Sequence, residues 1–215
     1  MKYIVFIVIS TVSLGLFGQK KIDLFFDEFC VSSNKSNVYD NNTDNKYGFG
    51  LSVYHSFRSD KTMNIIFGWE YNRVSQLKNY VYEGHFSHLT DVTYNTNYLS
   101  FPLGLRLNFG TRSKLILEVG GFADLSTGGK RFGTCHSYIP DENYVVTYKE
   151  FQFEEKGGLP SLAGVYSGIG TVIPFSTVAL IIKGDYKIGL KMGPGSTYEE
   201  FQSKYFRLIL GLKIY

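Results

Sequence analysis

His85, Ser87 and His88 fall within one short stretch, with Glu83 before them and Asp91 after. An imidazole, a hydroxyl and a carboxylate are the parts of a hydrolytic triad, in which the base takes the serine proton and the acid orients the base. The two imidazoles could instead hold a metal ion, but the spacing supplies no third ligand. The stretch lies in a polar segment expected to be a loop, and a two-residue match of this kind arises often by chance. These side chains are therefore read as polar loop residues, and the chain is expected to be neither an enzyme nor a user of a cofactor. His136 has no evident partner in the sequence. Cys30 and Cys135 are the only cysteines. They are read as a disulfide candidate or as two independent small residues, and the sequence leaves that choice open.

The elements that would position these residues show a two-residue period. Apolar side chains alternate with Gly, Ser, Asn and charges, the pattern of a strand with one apolar and one polar face. The fourth expected strand, 96–109, is the cleanest. Leu99, Phe101, Leu103, Leu105, Leu107 and Phe109 alternate there with Ser100, Pro102, Gly104, Arg106 and Asn108. Pro102 cannot donate to a ladder and is expected to weaken this strand or mark a bulge. The other strands are expected at 21–30, 46–57, 62–74, 114–125, 159–173, 177–190 and 201–215. The first places Ile22, Leu24 and Phe26 on one face, and the facing of 159–173 is ambiguous. Long connections (32–45, 75–95, 126–157 and the one opening at Gly193) alternate with tight turns near 58–61, 110–113 and 174–176. Within the longest, 144–153 itself alternates and reads as a hairpin arm.

Eight strands with alternating long and short connections predict an antiparallel up-and-down transmembrane β-barrel, with both termini on the tight-turn side. Nothing else in the chain could cover the apolar faces except lipid. His55 then sits in the membrane interface, and Trp69, Tyr71 and Tyr47 suit an aromatic girdle. The inward parity collects Glu70, Glu118, Asp124 and Asp185 together with Arg106, Lys183, Lys187, Arg207 and Lys213. Charges so close to balance in a low-dielectric interior are expected to pair with one another. A barrel of eight strands has room only for its own side chains or one small ligand, so a filled lumen is expected, with the charges as interior packing. The alternative is a periplasmic lipocalin-like barrel, in which the apolar parity would face inward around a small ligand.

Residues 1–18 combine a basic start, an apolar run from Tyr3 to Phe17 and a small residue at Gly18. That is the form of a secretory signal peptide, too short for a spanning helix. It leaves 19–215 as one barrel domain. The net charge of +3 gives no reason to expect nucleic acid. The composition, 17% aromatic and 19% charged with 23 Gly, suits an all-β chain. Expected partners are outer-membrane lipid, the barrel-insertion machinery and a surface partner held by the Tyr- and Phe-rich external loops, with the chain itself monomeric. In the last strand Tyr215 falls on the parity opposite Phe206, Leu208, Leu210, Leu212 and Ile214, a departure from a terminal aromatic on the lipid face.

Three runs carry a family resemblance: Tyr98-Leu99-Ser100-Phe101-Pro102-Leu103, Leu117-Glu118-Val119-Gly120-Gly121-Phe122 and Asp185-Tyr186-Lys187-Ile188-Gly189-Leu190. They resemble the porin-family or PorT-type outer membrane β-barrel proteins of Bacteroidetes. That resemblance implies an eight-stranded barrel at the cell outer membrane and, for PorT-type members, a link to protein secretion. His85-Phe86-Ser87 also resembles the His-x-Ser pair of outer-membrane lipid A deacylases, over those two residues only.

Overall fold

A computed structural model describes residues 26–37, 46–57, 62–140, 146–192 and 202–215. The expected signal segment, the tight turn at 58–61 and the loop opening at Gly193 lie outside the described residues. Nine strands follow one another: β1 (Glu28–Asn37), β2 (Lys46–Phe57), β3 (Met63–Tyr82), β4 (Ser87–Phe109), β5 (Lys114–Pro140), β6 (Val146–Lys156), β7 (Leu162–Pro174), β8 (Val178–Lys191) and β9 (Gln202–Ile214). All pairings are antiparallel. The pairing of β1 with β9 and of β4 with β5 closes an eight-strand ring from β1–β5 and β7–β9. Closure removes the sheet edge that a bilayer cannot tolerate.

The stagger of the ring fixes its tilt. Following Cα partners from Gly211 through Cys30, Ser52, Glu70, Ser100, Asp124 and Leu162 leads to Lys191, one position past the Leu190–Gln202 pair on β9. The path therefore returns about ten residues from its start, which for eight strands corresponds to a tilt near the upper end of the ~35–45° range.

The two faces of the ring are chemically inverted relative to a soluble protein. Leu103 is 60% exposed, Leu105 44% and Leu210 48%, whereas Arg106 and Arg207 are 2% and 1% exposed. The lipocalin-like alternative requires the opposite, an apolar interior gathering those leucines, and this geometry contradicts it. The ambiguous strand is resolved in the same sense. Val165 and Ile169 point out, while Leu162 and Tyr166 point in.

Glycine creates the interior space. A Cβ on Gly170 would lie 2.3 Å from the Cβ of Lys183, and one on Gly104 would lie 2.4 Å from the hydroxyl of Tyr166. The backbone must stay bare at these points so that the opposing long side chain can lie across it.

Two expectations need correction, and two gain detail. Of the expected first strand, 21–25 with Ile22 and Leu24 lie outside the described residues, while β1 continues past Cys30 to Asn37, into what reads as an Asn-rich loop, and just before it the Asp27 N–H donates to the Tyr54 carbonyl at 3.0 Å. The segment 75–95 is not a loop but a hairpin, since β3 and β4 stay in register from Met63–Leu107 to Tyr82–His88. The segment 126–157, expected to contain a hairpin arm, is mostly the upper half of β5 and all of β6. Of the two expectations for Pro102, the local weakening is what the structure shows, without a bulge. The β3–β4 ladder lapses between the Phe67–Leu103 and Glu70–Ser100 pairs with register unchanged, and the irregularities of β4–β5 fall instead at Thr90/Thr93 and Asn97/Tyr98.

Candidate functional site

Two places in this fold gather chemistry: the interior of the ring and the sheet that rises from one side of it.

Inside the ring, the inward parity of β1, β3, β4, β5, β8 and β9 delivers charge to the axis, where two ion clusters form. In the cluster toward the tight-turn end, Arg106 bridges Glu28 and Glu118, its Nε donating to Glu118 Oε1 at 2.6 Å. Lys183 Nζ reaches Glu118 Oε2 at 2.7 Å, and Lys213 Nζ reaches Asp27 Oδ2 at 2.7 Å and Glu28 Oε1 at 3.0 Å. In the other cluster, the Arg207 guanidinium forks onto Asp185, with Nε to Oδ1 at 2.7 Å and NH2 to Oδ2 at 2.5 Å. Its NH1 meets Glu70 Oε2 at 2.6 Å, and Lys187 Nζ meets the same oxygen at 2.6 Å. Asp124 accepts from the Tyr205 hydroxyl at 2.7 Å and lies 3.7 Å from Lys187 Nζ.

Tyr54 joins the clusters. Its hydroxyl donates to Glu70 Oε1 at 2.6 Å, and the Lys183 ammonium sits 4.8 Å from its ring centroid. One residue therefore touches an acid of one cluster and a base of the other. We expect Tyr54→Phe to lower the stability of the folded chain by about 1–3 kcal/mol, since it leaves a buried carboxylate oxygen short of a donor. Tyr166→Phe is the control. The Tyr166 hydroxyl is buried with no hydrogen-bond partner among the described residues, so its removal should be close to neutral. Denaturant titrations of the two variants in lipid vesicles check the pair.

Every residue expected in the interior network (Glu70, Arg106, Glu118, Asp124, Lys183, Asp185, Lys187, Arg207 and, on the same parity, Lys213) lies buried here with a charged neighbour of opposite sign. Sequence reasoning missed Glu28. It shares its parity with Phe26, yet Phe26 packs outward on Phe67 and Trp69 while Glu28 is fully buried. The signal that could have found it was the leftover positive charge, since four acids facing five bases leave room for one more acid. Apolar side chains fill in around the ions. Ile116, Val172, Ala179, Ile181 and Ile209 pack with Cys30 and Tyr54. Leu159 and Leu162 pack with Tyr98, Phe122 and Tyr166. Leu159 is pinned by its N–H donating to Thr96 Oγ1 at 2.8 Å, which draws the segment after β6 inward against β4.

The upper parts of β3, β4 and β5 extend past the ring, and β6 adds to β5 alone among the described residues. They make a four-stranded sheet rising on the side opposite the termini. One of its faces carries a ladder of rings. His88 stacks on His136 at 4.7 Å between centroids, with Tyr80 on the far side of His88 at 5.3 Å and Tyr148 beyond His136 at 6.0 Å. His136 is fixed at both nitrogens, by Thr90 Oγ1 at 2.9 Å and the Tyr148 hydroxyl at 2.7 Å. That hydroxyl donates to Glu150 Oε2 at 2.8 Å, which holds the phenol above its ordinary pKa. The His136 partners come from β4 and β6, on either side of its own strand, so they were invisible to local spacing.

The remaining sequence candidates are dispersed. The Tyr82 hydroxyl and His85 Nδ1 stand 3.4 Å apart, Glu83 is held by Arg131 at 2.6 Å, and Ser87 opposes Ser137 across β4–β5. His88 lies in the ring ladder, and Asp91 takes a positive φ of 55° at a β4 irregularity. Cys30 and Cys135 are both free thiols. Cys30 points into the ring and Cys135 lies on the upper sheet, its thiol pushed up by burial and by Glu83. His55 sits at the turn-side end with its ring against Phe57 and Phe67.

No protein-family model and no curated protein matches the chain. Among solved structures it is similar to Neisserial surface protein A, at 10% identity and a TM-score of 0.47 over 88% of this chain and 95% of that one. It is also similar to Ail, the attachment invasion locus protein of Yersinia pestis, at 14% identity and a TM-score of 0.42 over 89% and 99%. A third is a major outer membrane protein from Thermus thermophilus, at 12% identity and a TM-score of 0.39 over 87% and 98%.

Proposed function

We propose that the chain is an outer-membrane β-barrel with no open pore and no enzymatic activity, whose ring anchors the upper sheet as a contact surface outside the cell. The observation that carries this reading is the inversion of the two faces. Leu103, Leu105, Leu117 and Leu210 stand exposed around the ring while five acids and five bases are buried inside it among the described residues. Water outside would make that arrangement unfavourable on both counts, whereas acyl chains outside favour it. The reading of a sealed interior is supported by the side chains that cross the axis. Arg106 reaches Glu28, Arg207 and Lys187 reach Glu70, and Lys183 reaches Glu118, each pair joining strands that are not neighbours, so ion pairs cross the interior as well as line it.

Two measurements test the reading. The chain should sediment with outer membranes and migrate differently on gels before and after boiling. In planar bilayers it should give no stable ohmic conductance. Recovery in the soluble fraction would reject the membrane assignment, and a steady conductance would reject the sealed interior. The PorT-type resemblance adds a narrower reading, an accessory of protein secretion. Deletion of the coding sequence followed by an assay of secreted protein tests it, and unchanged secretion would remove it.

A further inference from the structure

The outer edge of β6 is long, regular and uncovered among the described residues. It runs from Val146 to Lys156 without a proline or a bulge and leaves Val146, Tyr148 and Phe151 exposed. Edges of this kind template the addition of another strand unless something blunts them. The sequence along this edge indicates which strand. Glu150-Phe151-Gln152-Phe153-Glu154 reads the same in both directions about Gln152. Antiparallel partners run in opposite directions, so a strand of this kind matches a second copy of itself.

We propose that the β6 edge binds the β6 edge of a second copy of this chain, antiparallel and centred on Gln152, and that the pair links two opposed membranes. In this register Phe151 lies opposite Phe153 of the second copy, and Lys149 lies opposite Glu155 of the second copy, a carboxylate that its own Arg131 also holds at 2.5 Å. Both matches occur twice by symmetry and on one face. Cross-strand aromatic pairs and opposite charges each favour strand pairing. On the other face Glu150 meets Glu154 of the second copy. Each already has its own donor, Tyr148 at 2.8 Å for Glu150 and Lys130 at 2.5 Å for Glu154.

The membrane geometry follows from the symmetry. Directly opposed residues share a face of the sheet, so the two-fold axis relating the strands is perpendicular to the sheet. The barrel axis lies close to the plane of that same sheet. A half-turn about the perpendicular reverses it, and the second barrel stands upside down, mouth to mouth with the first. Two barrels side by side in one bilayer cannot make this contact. The inference rests on the proposed membrane assignment and on the upper sheet facing outward.

The test uses the full chain in two populations of lipid vesicles labelled with different fluorescent lipids, with energy transfer between populations reporting clustering. Vesicles carrying the folded chain should cluster, and protein-free vesicles should not. Lys149→Glu sets acid against acid at both charge pairs, and Glu155→Lys sets base against base. Each variant alone should lose clustering. Mixing vesicles of one variant with vesicles of the other restores opposite charges at both positions, and clustering should return. Heat-modifiable migration of each variant verifies that the ring is folded. A chain that fails to insert would overturn the membrane assignment and this inference with it. Inserted chains that do not cluster, single variants that cluster like the parent, or a mixture that fails to recover would overturn this inference alone.

Discussion

Replacing Arg207 with Met should destabilise the folded barrel by about 3–5 kcal/mol, the range for removing one member of a buried ion pair. Arg207 is 1% exposed and serves two acids at once, the fork to Asp185 and the single contact to Glu70. Without it, Asp185 keeps no other salt bridge among the described residues, and Glu70 keeps only Lys187. A methionine fills most of the volume, so the loss is electrostatic and not a cavity effect. Adding Asp185→Asn to Arg207→Met should recover part of the loss, because the acid that was stranded no longer carries charge. Urea titrations of the four members of this cycle in lipid vesicles give the coupling directly. Additive losses would mean that the pair does not interact in the folded chain.

The second large effect belongs to the opposite face. Leu105→Arg should cost about 2–4 kcal/mol if that position lies at the bilayer midplane, and less toward either interface. Leu105 is 44% exposed, between Ile65 on β3 and Val119 on β5. On a soluble protein a half-exposed leucine changed to arginine would shift stability by about 0.5 kcal/mol or less. Ile139→Arg serves as the internal comparison. Ile139 is 48% exposed on the upper sheet, so it should show only that small shift. Equal effects at the two sites would remove the distinction between a lipid-facing ring and a water-facing sheet.

The sequence made the ring legible because a period of two assigns every residue to a face, and nine of the interior ionic residues followed from parity alone. It failed where parity is not the governing rule. Glu28 and Phe26 share a parity but lie on opposite sides of the wall, because the chain is entering the sheet there and Asp27 turns its side chain to the Ser56 N–H at 2.9 Å. The upper sheet was hidden for a different reason. Its strands carry Tyr, His, Thr and Asn on exposed faces, a composition that reads as loop when no burial contrast marks the period. The alternation within 144–153 was visible because Phe151 and Phe153 alternate with Glu150, Gln152 and Glu154. The ring ladder could not be found from spacing, since Tyr80, His88, His136 and Tyr148 come from four strands and meet only through register.

The chain has a single tryptophan, Trp69, and this allows the outward orientation to be read without any substitution. Trp69 is 55% exposed on the ring wall, with its ring against Phe101 and Phe26. In vesicles of lipids brominated along their acyl chains, its fluorescence should be strongly quenched, while iodide added to the water should have little effect. Quenching by iodide with no response to brominated chains would place that face in water and contradict the account.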